Sequence, residues 1–408
     1  MIIMKNRWAK ATLTAILFIT IFLAIGWNAA EAAFGRKIVV FNPAVVNEPA
    51  QEALVKAVGG VILKDLPLIN GKAVLLPPQA EAALGRIPGV VRIDPDVIVE
   101  AFGKPPKPPP AETLPWGVDR IDAELAWATS TGTGVKVAIV DTGIDLDHPD
   151  LQANIKGNVN TINPRKTGDD DNGHGTHVAG TVAAIDNDIG VIGTSPTAYL
   201  YAVKVLSRTG SGFLSDVIEG LQWCIDNGMQ VVNMSLGTSS NVQSFHNAVI
   251  AVNNAGIVQV AAAGNASGGP VIYPAAYEEV IAVSATDSTD TIASFSSIGP
   301  EVELAAPGVN IPSTWKGGGY NTISGTSMAA PHVTGTVALA IAAGLTDVRA
   351  TLQATADDLG ATGKDIYYGY GLVDAEEAAS GTQTAAPRLP DVSTQNKLAT
   401  TWGYLKSK

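Results

Sequence analysis

The stretch Val135-Lys136-Val137-Ala138-Ile139-Val140-Asp141-Thr142-Gly143 decides the fold class of its domain. Its short apolar run is typical of a strand that is buried in a parallel sheet. Similar runs recur downstream, at Leu200–Val205, Val231–Met234, Val258–Ala262 and Val280–Val283. The segments between them are long enough for crossover helices. This alternation predicts an α/β domain with a mainly parallel sheet and helices on both faces.

Chemistry in such a sheet is expected beyond the carboxyl ends of the strands, where Asp141 and Asn265 fall. Two further segments carry reactive side chains. Asn172-Gly173-His174-Gly175-Thr176-His177-Val178-Ala179-Gly180 places His174 between glycines ahead of a small-residue helix. Ser324-Gly325-Thr326-Ser327-Met328-Ala329-Ala330-Pro331-His332 delivers Ser327 into an apolar helix. A serine hydroxyl becomes a good nucleophile only beside a base that is oriented by a third group.

The composition limits the classes of function. The chain has 408 residues, 46% of them hydrophobic, which is enough for one large and one small domain. Lys and Arg number 26 against 38 Asp and Glu, a net charge of −12, which argues against a nucleic-acid partner. The single cysteine, Cys224, excludes an intramolecular disulfide and is predicted to be a buried apolar side chain.

Residues 1–32 have the pattern of a secretion signal. Lys5, Arg7 and Lys10 precede an apolar run from Ala11 to Trp27, and Ala30-Glu31-Ala32 then offers small residues for cleavage. An uncleaved membrane anchor is the alternative, because the run reaches the lower limit for a membrane span. We expect a secreted, extracellular protein that meets the membrane only through this segment before cleavage. Residues 381–408 are expected to form a flexible tail.

A small α+β unit is predicted at 36–102. Strands are expected near 37–41, 73–76 and 90–93, with a helix near 51–58. A proline-rich linker, 103–111, separates this unit from the large domain at 112–380. The linker is either a plain spacer or the processing site of a removable pro-segment.

Together, the segments around Asp141, His174, Asn265 and Ser327 resemble the subtilisin-like serine proteases (subtilases, peptidase S8), from about Leu114 to Ala378. The resemblance implies a subtilisin-like fold and a serine endopeptidase. Ser327 is then the nucleophile, His174 the general base and Asp141 the group that orients the imidazole. Asn265 is the expected oxyanion-hole donor.

The resemblance also implies how polypeptide substrates bind. Two backbone walls of a specificity pocket and an edge that pairs with an extended peptide are expected. Ile272 stands at the floor of that pocket, which favours apolar or medium-sized P1 residues within a broad specificity. The implied residues are Ser235, Leu236, Gly237, Ala263, Gly264 and Ile272 for the pocket, and Gly210 and Gly212 for the edge.

A structural calcium ion is a further implication, since Ca²⁺ takes six to eight oxygen ligands. The expected ligands are Glu112, Asp150, Ile185, Asn187, Ile189 and Val191. Two weaker sites are expected, one at Glu301 and Glu303 with carbonyls near Ala275 and Tyr277, the other at Asp169 and Asp171. The alternative for the second is a solvated acidic loop.

The small N-terminal unit resembles, more loosely, the inhibitory propeptide of this family. It would act as an intramolecular inhibitor, with its last strand (about 97–102) in the substrate groove of a monomeric enzyme and cleavage between Phe102 and Glu112. A catalytically silent binding protein is the alternative function. An esterase is disfavoured because Gly325-Thr326-Ser327-Met328-Ala329 lacks the second glycine of Gly-x-Ser-x-Gly. A zinc protease is rejected because His174 and His177 lack the i,i+4 spacing and the glutamate.

Overall fold

The computed structural model describes residues 34–101 and 111–383. The predicted signal segment, the linker up to residue 110 and the tail from residue 384 lie outside the described residues. The chain divides into two compact units, the first ending at Asp96 and the second beginning at Val97. Among the described residues, no helix is both long enough and apolar enough to span a bilayer.

The first unit is a four-stranded antiparallel sheet with two helices, in the strand order β2-β3-β1-β4. Its elements are β1 (Gly35–Phe41), α1 (Glu48–Ala57), β2 (Val61–Leu66), β3 (Gly71–Leu76), α2 (Pro78–Leu84) and β4 (Val90–Pro95). Asn47 caps α1 by accepting a hydrogen bond from the Ala50 amide. Phe41, Val55, Val74 and Leu84 share one apolar core. The sequence predicts an α+β unit at 36–102; the structure has β2 and α2 in addition, and the strand expected at about 97–102 belongs to the second unit.

The second unit contains twelve strands and eight helices within the described residues. The strands are β5 (Ile98–Ala101), β6 (Lys136–Asp141), β7 (Ile155–Asn160), β8 (Tyr199–Lys204), β9 (Ser211–Phe213), β10 (Val231–Met234), β11 (Leu236–Gly237), β12 (Val258–Ala262), β13 (Ile281–Thr286), β14 (Val302–Pro307), β15 (Ile311–Trp315) and β16 (Gly319–Ile323). The helices are α3 (Trp116–Arg120), α4 (Ala123–Ala126), α5 (His174–Ala183), α6 (Leu214–Asp226), α7 (Gln243–Asn254), α8 (Thr326–Ala342), α9 (Val348–Ala354) and α10 (Ala375–Ser380).

A seven-stranded parallel sheet forms the centre of this unit, in the order β14-β13-β12-β10-β6-β8-β7. Val137 and Ile139 of β6 belong to the core shared with α5 and α8. Ala138 and Val140, which alternate with them, are equally buried. Since strand side chains alternate between faces, both faces of the sheet are covered, which confirms the predicted α/β class.

The strand order reverses next to β6. From β6 the sheet grows through β8 and β7 on one side and through β10, β12, β13 and β14 on the other. Such a switch point opens a crevice at the carboxyl ends of the strands, where ligands bind in open α/β sheets. Asp141 is the last residue of β6 and therefore lies at this crevice.

Helix α8 is buried over most of its length because its residues are small or apolar all round. It packs against α5 and against the central strands β10, β12 and β13. Its first residues therefore start beside the carboxyl ends of these strands, which brings Ser327 to the crevice. Cys224 on α6 is fully buried, as predicted, and burial raises the pKa of its thiol.

Candidate active site

Asp141 and His174 form a buried pair. The His174 Nδ1 atom lies 2.8 Å from Asp141 Oδ1 and 3.0 Å from Oδ2. The Asp141 carboxylate also accepts a 2.6 Å hydrogen bond from the Thr142 amide, and its side chain has no exposed surface. These contacts fix the imidazole plane and leave Nε2 as the nitrogen that can exchange a proton with a nucleophile.

His174 begins α5 because the loop before it is tightly built. Gly173 has φ +117°, and a Cβ there would lie 2.4 Å from the Trp315 ring, so only glycine fits. The buried Asp170 carboxylate accepts hydrogen bonds from the amides of Gly173 (2.9 Å) and Thr176 (3.0 Å) and from the Thr176 hydroxyl (2.6 Å). Asp170 thus satisfies the free amides at the start of the helix, a role that the sequence interpretation missed.

Ser327 is the second residue of α8 and is buried. Its hydroxyl donates to the Ser235 carbonyl at 3.1 Å, and the Ser235 hydroxyl donates back to the Ser327 carbonyl at 2.8 Å. This reciprocal pair joins the start of α8 to the segment between β10 and β11. The serine therefore sits on a rigid helix and strand rather than on a mobile loop.

Asn265 lies three residues beyond β12, next to the start of α8. Its Oδ1 atom accepts from the Thr326 amide at 3.0 Å and from the Thr326 hydroxyl at 2.9 Å. Because both acceptor positions face Thr326, the Nδ2 donor is turned the other way. The hydroxyl of Thr326 also accepts from the Gly264 amide at 3.1 Å, so Thr326 holds this segment on both sides.

A pocket of about 330 Å³ opens between the two predicted backbone walls. Its lining includes Ile98, Gly237, Asn265, Ala266 and Ile272. Ile272 fills the space between the walls, since a Cβ on Gly237 would lie 2.6 Å and one on Gly264 3.0 Å from Ile272 carbons. The neighbouring wall residues Ser235, Leu236 and Ala263 are fully buried.

The predicted substrate edge pairs with the chain itself. Strand β5 lies between β9 and β11 in an antiparallel three-stranded sheet. Val99 stands opposite Gly212 and is fully buried, whereas Ile98 is 56% exposed. Glycine is needed at position 212 because a Cβ there would lie 2.2 Å from the Val205 carbonyl. Gly210 forms the turn that precedes β9.

The predicted calcium ligands gather at one place. Asp150 is fully buried, and its carboxylate accepts from Asn187 Nδ2 at 2.8 Å and from the Val191 amide at 3.1 Å. The Ile185 amide donates to the Asp150 carbonyl, and the Ile189 amide donates to Asn187 Oδ1 at 2.7 Å. Glu112 accepts from the Asn187 amide at 2.5 Å. Desolvation, with a contribution from Glu112, raises the pKa of Asp150 to about 6.

Both weaker cation sites already have protein partners. Glu303 forms a bidentate ion pair with Arg349 (2.7 Å from Nε to Oε1), and the Tyr277 hydroxyl donates to the Val242 carbonyl. Ala275 is buried and Glu301 is exposed. Asp171 pairs with Lys204 at 2.6 Å, and Asp169 accepts from the Leu146 amide at 3.2 Å. Within the described residues, no cluster of three His, Cys, Asp or Glu side chains could hold a metal ion.

Comparison with known proteins decides the family. The model of the subtilase family matches residues 132–371, a span that contains Asp141, His174, Asn265 and Ser327. The chain belongs to the subtilase family. This subtilase is 40% identical over 361 residues to an alkaline protease of Shouchella clausii, covering 87% of this chain and 90% of the relative.

Two further relatives agree with this assignment. The subtilase is 46% identical over 273 residues to subtilisin Savinase of Lederbergia lenta, covering 66% of this chain and 99% of that protein. It is 43% identical over 332 residues to subtilisin amylosacchariticus of Bacillus subtilis subsp. amylosacchariticus, covering 79% of this chain and 84% of the relative. The subtilase is therefore a serine endopeptidase, a hydrolase, as the sequence motifs predict.

Proposed function

We propose that this subtilase is a secreted, self-processing endopeptidase of broad specificity that works through a triad of Asp141, His174 and Ser327. The observation that carries the proposal is the buried Asp141–His174 pair at 2.8 Å. With Nδ1 directed to Asp141, Nε2 takes the proton of Ser327 as its oxygen attacks the peptide carbonyl. The same nitrogen then gives the proton to the leaving amine, and water hydrolyses the acyl-enzyme by the reverse exchange.

The oxyanion of the tetrahedral intermediate is stabilised by Asn265 Nδ2 and the Ser327 amide. The two bonds from Thr326 to Asn265 Oδ1 support this role, because they orient the amide before substrate arrives. A donor that is already oriented loses little entropy when charge develops on the substrate oxygen. The Ser327 amide belongs to the first turn of α8, where the helix dipole favours negative charge.

Fluorophosphonate labelling tests the triad. The processed wild-type protein is expected to react at Ser327, and Ser327→Ala is expected to abolish the label. His174→Ala should slow labelling strongly while the protein keeps its melting temperature. Absence of label on processed wild-type protein would instead support the catalytically silent binding protein.

Self-processing is supported by the position of β5. Ala101 pairs with Leu236, and Leu236 directly follows Ser235, whose carbonyl accepts from the Ser327 hydroxyl. The antiparallel register therefore carries the chain towards the nucleophile as it leaves β5. We infer that the enzyme cuts the segment between Phe102 and Glu112, and the register favours a bond near its start. Ser327→Ala should keep residues 36–111 attached, and the amino-terminal sequence of the wild type identifies the bond.

The shallow pocket supports a preference for apolar P1 residues of small or medium size. Ile272 takes up the space between the walls at Gly237 and Gly264, so a large ring finds little depth. Ala266 at the rim carries no charge that would attract Lys or Arg. A peptide-library profile dominated by cleavage after arginine would contradict this preference.

Calcium is proposed as a structural cofactor at Asp150 and Asn187, with Glu112 and the carbonyls of Ile185, Ile189 and Val191 as further ligands. The donor set consists of oxygen atoms only, which fits a hard cation. The pKa of Asp150, raised mainly by desolvation, supports the fit, because a divalent ion would stabilise the charged form of this buried carboxylate. Calcium would cross-link the loop at 185–191 to the start of the second unit.

A further inference from the structure

Lys204 is a buried lysine at the carboxyl end of β8. Only 6% of its side chain is exposed, and in the parallel register it stands directly opposite Asp141 of β6. Its ammonium group donates to the Thr142 carbonyl at 2.5 Å, to the Leu206 carbonyl at 3.0 Å and to Asp171 Oδ1 at 2.6 Å. Three donors thus meet three oxygen acceptors, which is the full hydrogen-bonding capacity of a lysine.

Each of the three acceptors belongs to a different part of the active site. Thr142 follows Asp141, and its amide donates to the Asp141 carboxylate. Asp171 lies in the loop that leads into α5 and His174. Leu206 precedes the turn into β9, the edge strand that pairs with β5. A charged group placed under three loops costs desolvation energy, which packing with an apolar side chain would avoid.

We propose that Lys204 is a positioning residue for the proposed triad. It fixes the Asp141 loop, the His174 loop and the substrate edge to one ammonium group, and its charge lowers the proton affinity of His174. The inference rests on the triad assignment, since it gives Lys204 no contact of its own with substrate. Lys204 would then support catalysis although it lies outside the sequence motifs around the proposed triad.

The sign of the electrostatic effect follows from the surrounding charges. The charged or titratable groups on the elements around His174 are Asp141 from β6, Asp170 and Asp171 from the loop before α5, His177 from α5, Lys204 from β8 and the exposed Lys316, which donates to the Asp171 carbonyl at 2.7 Å. Burial lowers the pKa of His177 to about 3, so this side chain stays neutral in the working range. Lys204 is then the buried cation of this set, whereas Lys316 is exposed to solvent. Lys204 opposes the carboxylates and disfavours the imidazolium form of His174.

The test compares kcat and KM from pH 5 to 9 for the wild type, Lys204→Met, Lys204→Arg and Lys136→Met, after active-site titration. Lys204→Met removes the charge, so the acidic limb of kcat/KM should move to higher pH by about 0.5 unit. Its kcat should fall on the order of tenfold because the loops lose their common anchor. Lys204→Arg keeps the charge, so it should keep the acidic limb of the wild type while losing part of kcat.

Lys136→Met is the matched control. Lys136 also donates to a backbone carbonyl, that of Asn227 at 3.2 Å, but it lies at the opposite end of the parallel sheet. It should change neither kcat nor the acidic limb. If Lys204→Met shows the wild-type limb per titrated active site, Lys204 is structural only and the inference is wrong.

Asp171→Asn decides the matter if Lys204→Met does not accumulate. This substitution removes one of the carboxylates around His174. Because the Asp171 side chain is 54% exposed, the variant should still fold. The acidic limb should then move to lower pH, by a few tenths of a unit. An unchanged or raised limb would overturn the inference. Failure of the triad itself is distinguishable, because the wild type would then show no fluorophosphonate label.

Discussion

Thr326 holds Asn265 by two hydrogen bonds, one from its amide at 3.0 Å and one from its hydroxyl at 2.9 Å, both to Asn265 Oδ1. Thr326 is also the residue before Ser327. The proposed oxyanion donor and the proposed nucleophile are therefore oriented by the same turn at the start of α8. A substitution of Thr326 should therefore change the catalytic rate through Asn265 and Ser327, without altering a contact with substrate.

Thr326→Val tests this arrangement. Loss of the hydroxyl removes one of the two bonds to Asn265 and the 3.1 Å bond from the Gly264 amide. We expect kcat to fall about tenfold with little change in KM, since the lost orientation matters mainly in the transition state. Asn265→Ala should cost on the order of 10²–10³ in kcat, a magnitude known from subtilisin itself.

Thr336→Val serves as the control on the same helix, because the Thr336 hydroxyl donates to the His332 carbonyl within α8 at 3.0 Å. Wild-type kcat is expected there. Equal losses in Thr326→Val and Thr336→Val would point to a general effect on α8.

Ile272→Gly should deepen the pocket. Without the isoleucine side chain, the space between Gly237 and Gly264 opens to larger groups. We expect kcat/KM for a tetrapeptide anilide with Phe at P1 to rise about tenfold relative to Ala, within the range that one hydrophobic contact provides. Val271→Ala, a change at the neighbouring position outside the pocket lining, should leave the ratio unchanged.

Removal of calcium should lower the melting temperature, and more at pH 8 than at pH 5. The pKa of Asp150 is raised to about 6, so the folded calcium-free protein binds this proton more tightly than the unfolded chain does. The associated stability is present below about pH 4 and is lost as the pH rises through 6. At pH 8 the proposed calcium ion would replace that proton, and saturation at 100 times the Kd would contribute about 2.7 kcal/mol.

Thermal unfolding of inhibited enzyme with calcium or EDTA measures this difference. Asp150→Asn should lose most of the EDTA response, whereas Asp188→Asn, on the same loop but outside the proposed ligand set, should retain it. An EDTA response that is equal at both pH values would contradict the role of Asp150.

Asp374 gives a second, independent pH dependence. It caps α10 by accepting from the Glu377 amide at 2.8 Å, while desolvation, with contributions from Asp122 and Glu377, raises its pKa to about 7. Its contribution to stability is therefore lost as the pH rises from about 4 through 7. Asp374→Asn keeps the acceptor without the charge. We expect about 1 kcal/mol of added stability at pH 9, or 2–3 °C in Tm, and little change at pH 5.

Asp347→Asn is the comparison for that experiment, since Asp347 is an exposed cap of α9 that accepts from the Ala350 amide. It should show no gain at pH 9. A gain in both variants would mean that total negative charge, rather than the surroundings of Asp374, limits stability.

The sequence predicts well the strands that are continuous apolar runs. Val231–Met234 and Val258–Ala262 are strands with the predicted bounds, and the strand expected at Val135–Val140 is shifted by one residue. Ile155–Asn160 and Gly319–Ile323 were missed because polar residues and glycine interrupt them. Their strand geometry comes from pairing with β8 and β15, which is tertiary information.

The candidate site likewise has residues that the sequence predicts and residues that only the tertiary structure reveals. Asp141, His174 and Ser327 stand out because reactive residue types follow strands or begin helices. Thr326 and Lys204 do not stand out, since a threonine and a lysine are common, and their contacts join positions far apart in the chain. The sequence also did not reveal the ion pair at Glu303, a predicted metal ligand that binds Arg349, 46 residues away in the chain.

The order of the proposed catalytic groups along the chain determines when hydrolysis becomes possible during synthesis. The first unit and Asp141 emerge early, but Ser327 arrives with α8, the helix on which β12 and β13 pack. A nascent chain that still lacks α8 has neither the proposed nucleophile nor a complete core. The growing polypeptide can therefore become proteolytically active only after the first unit, the proposed inhibitory propeptide, has been translated.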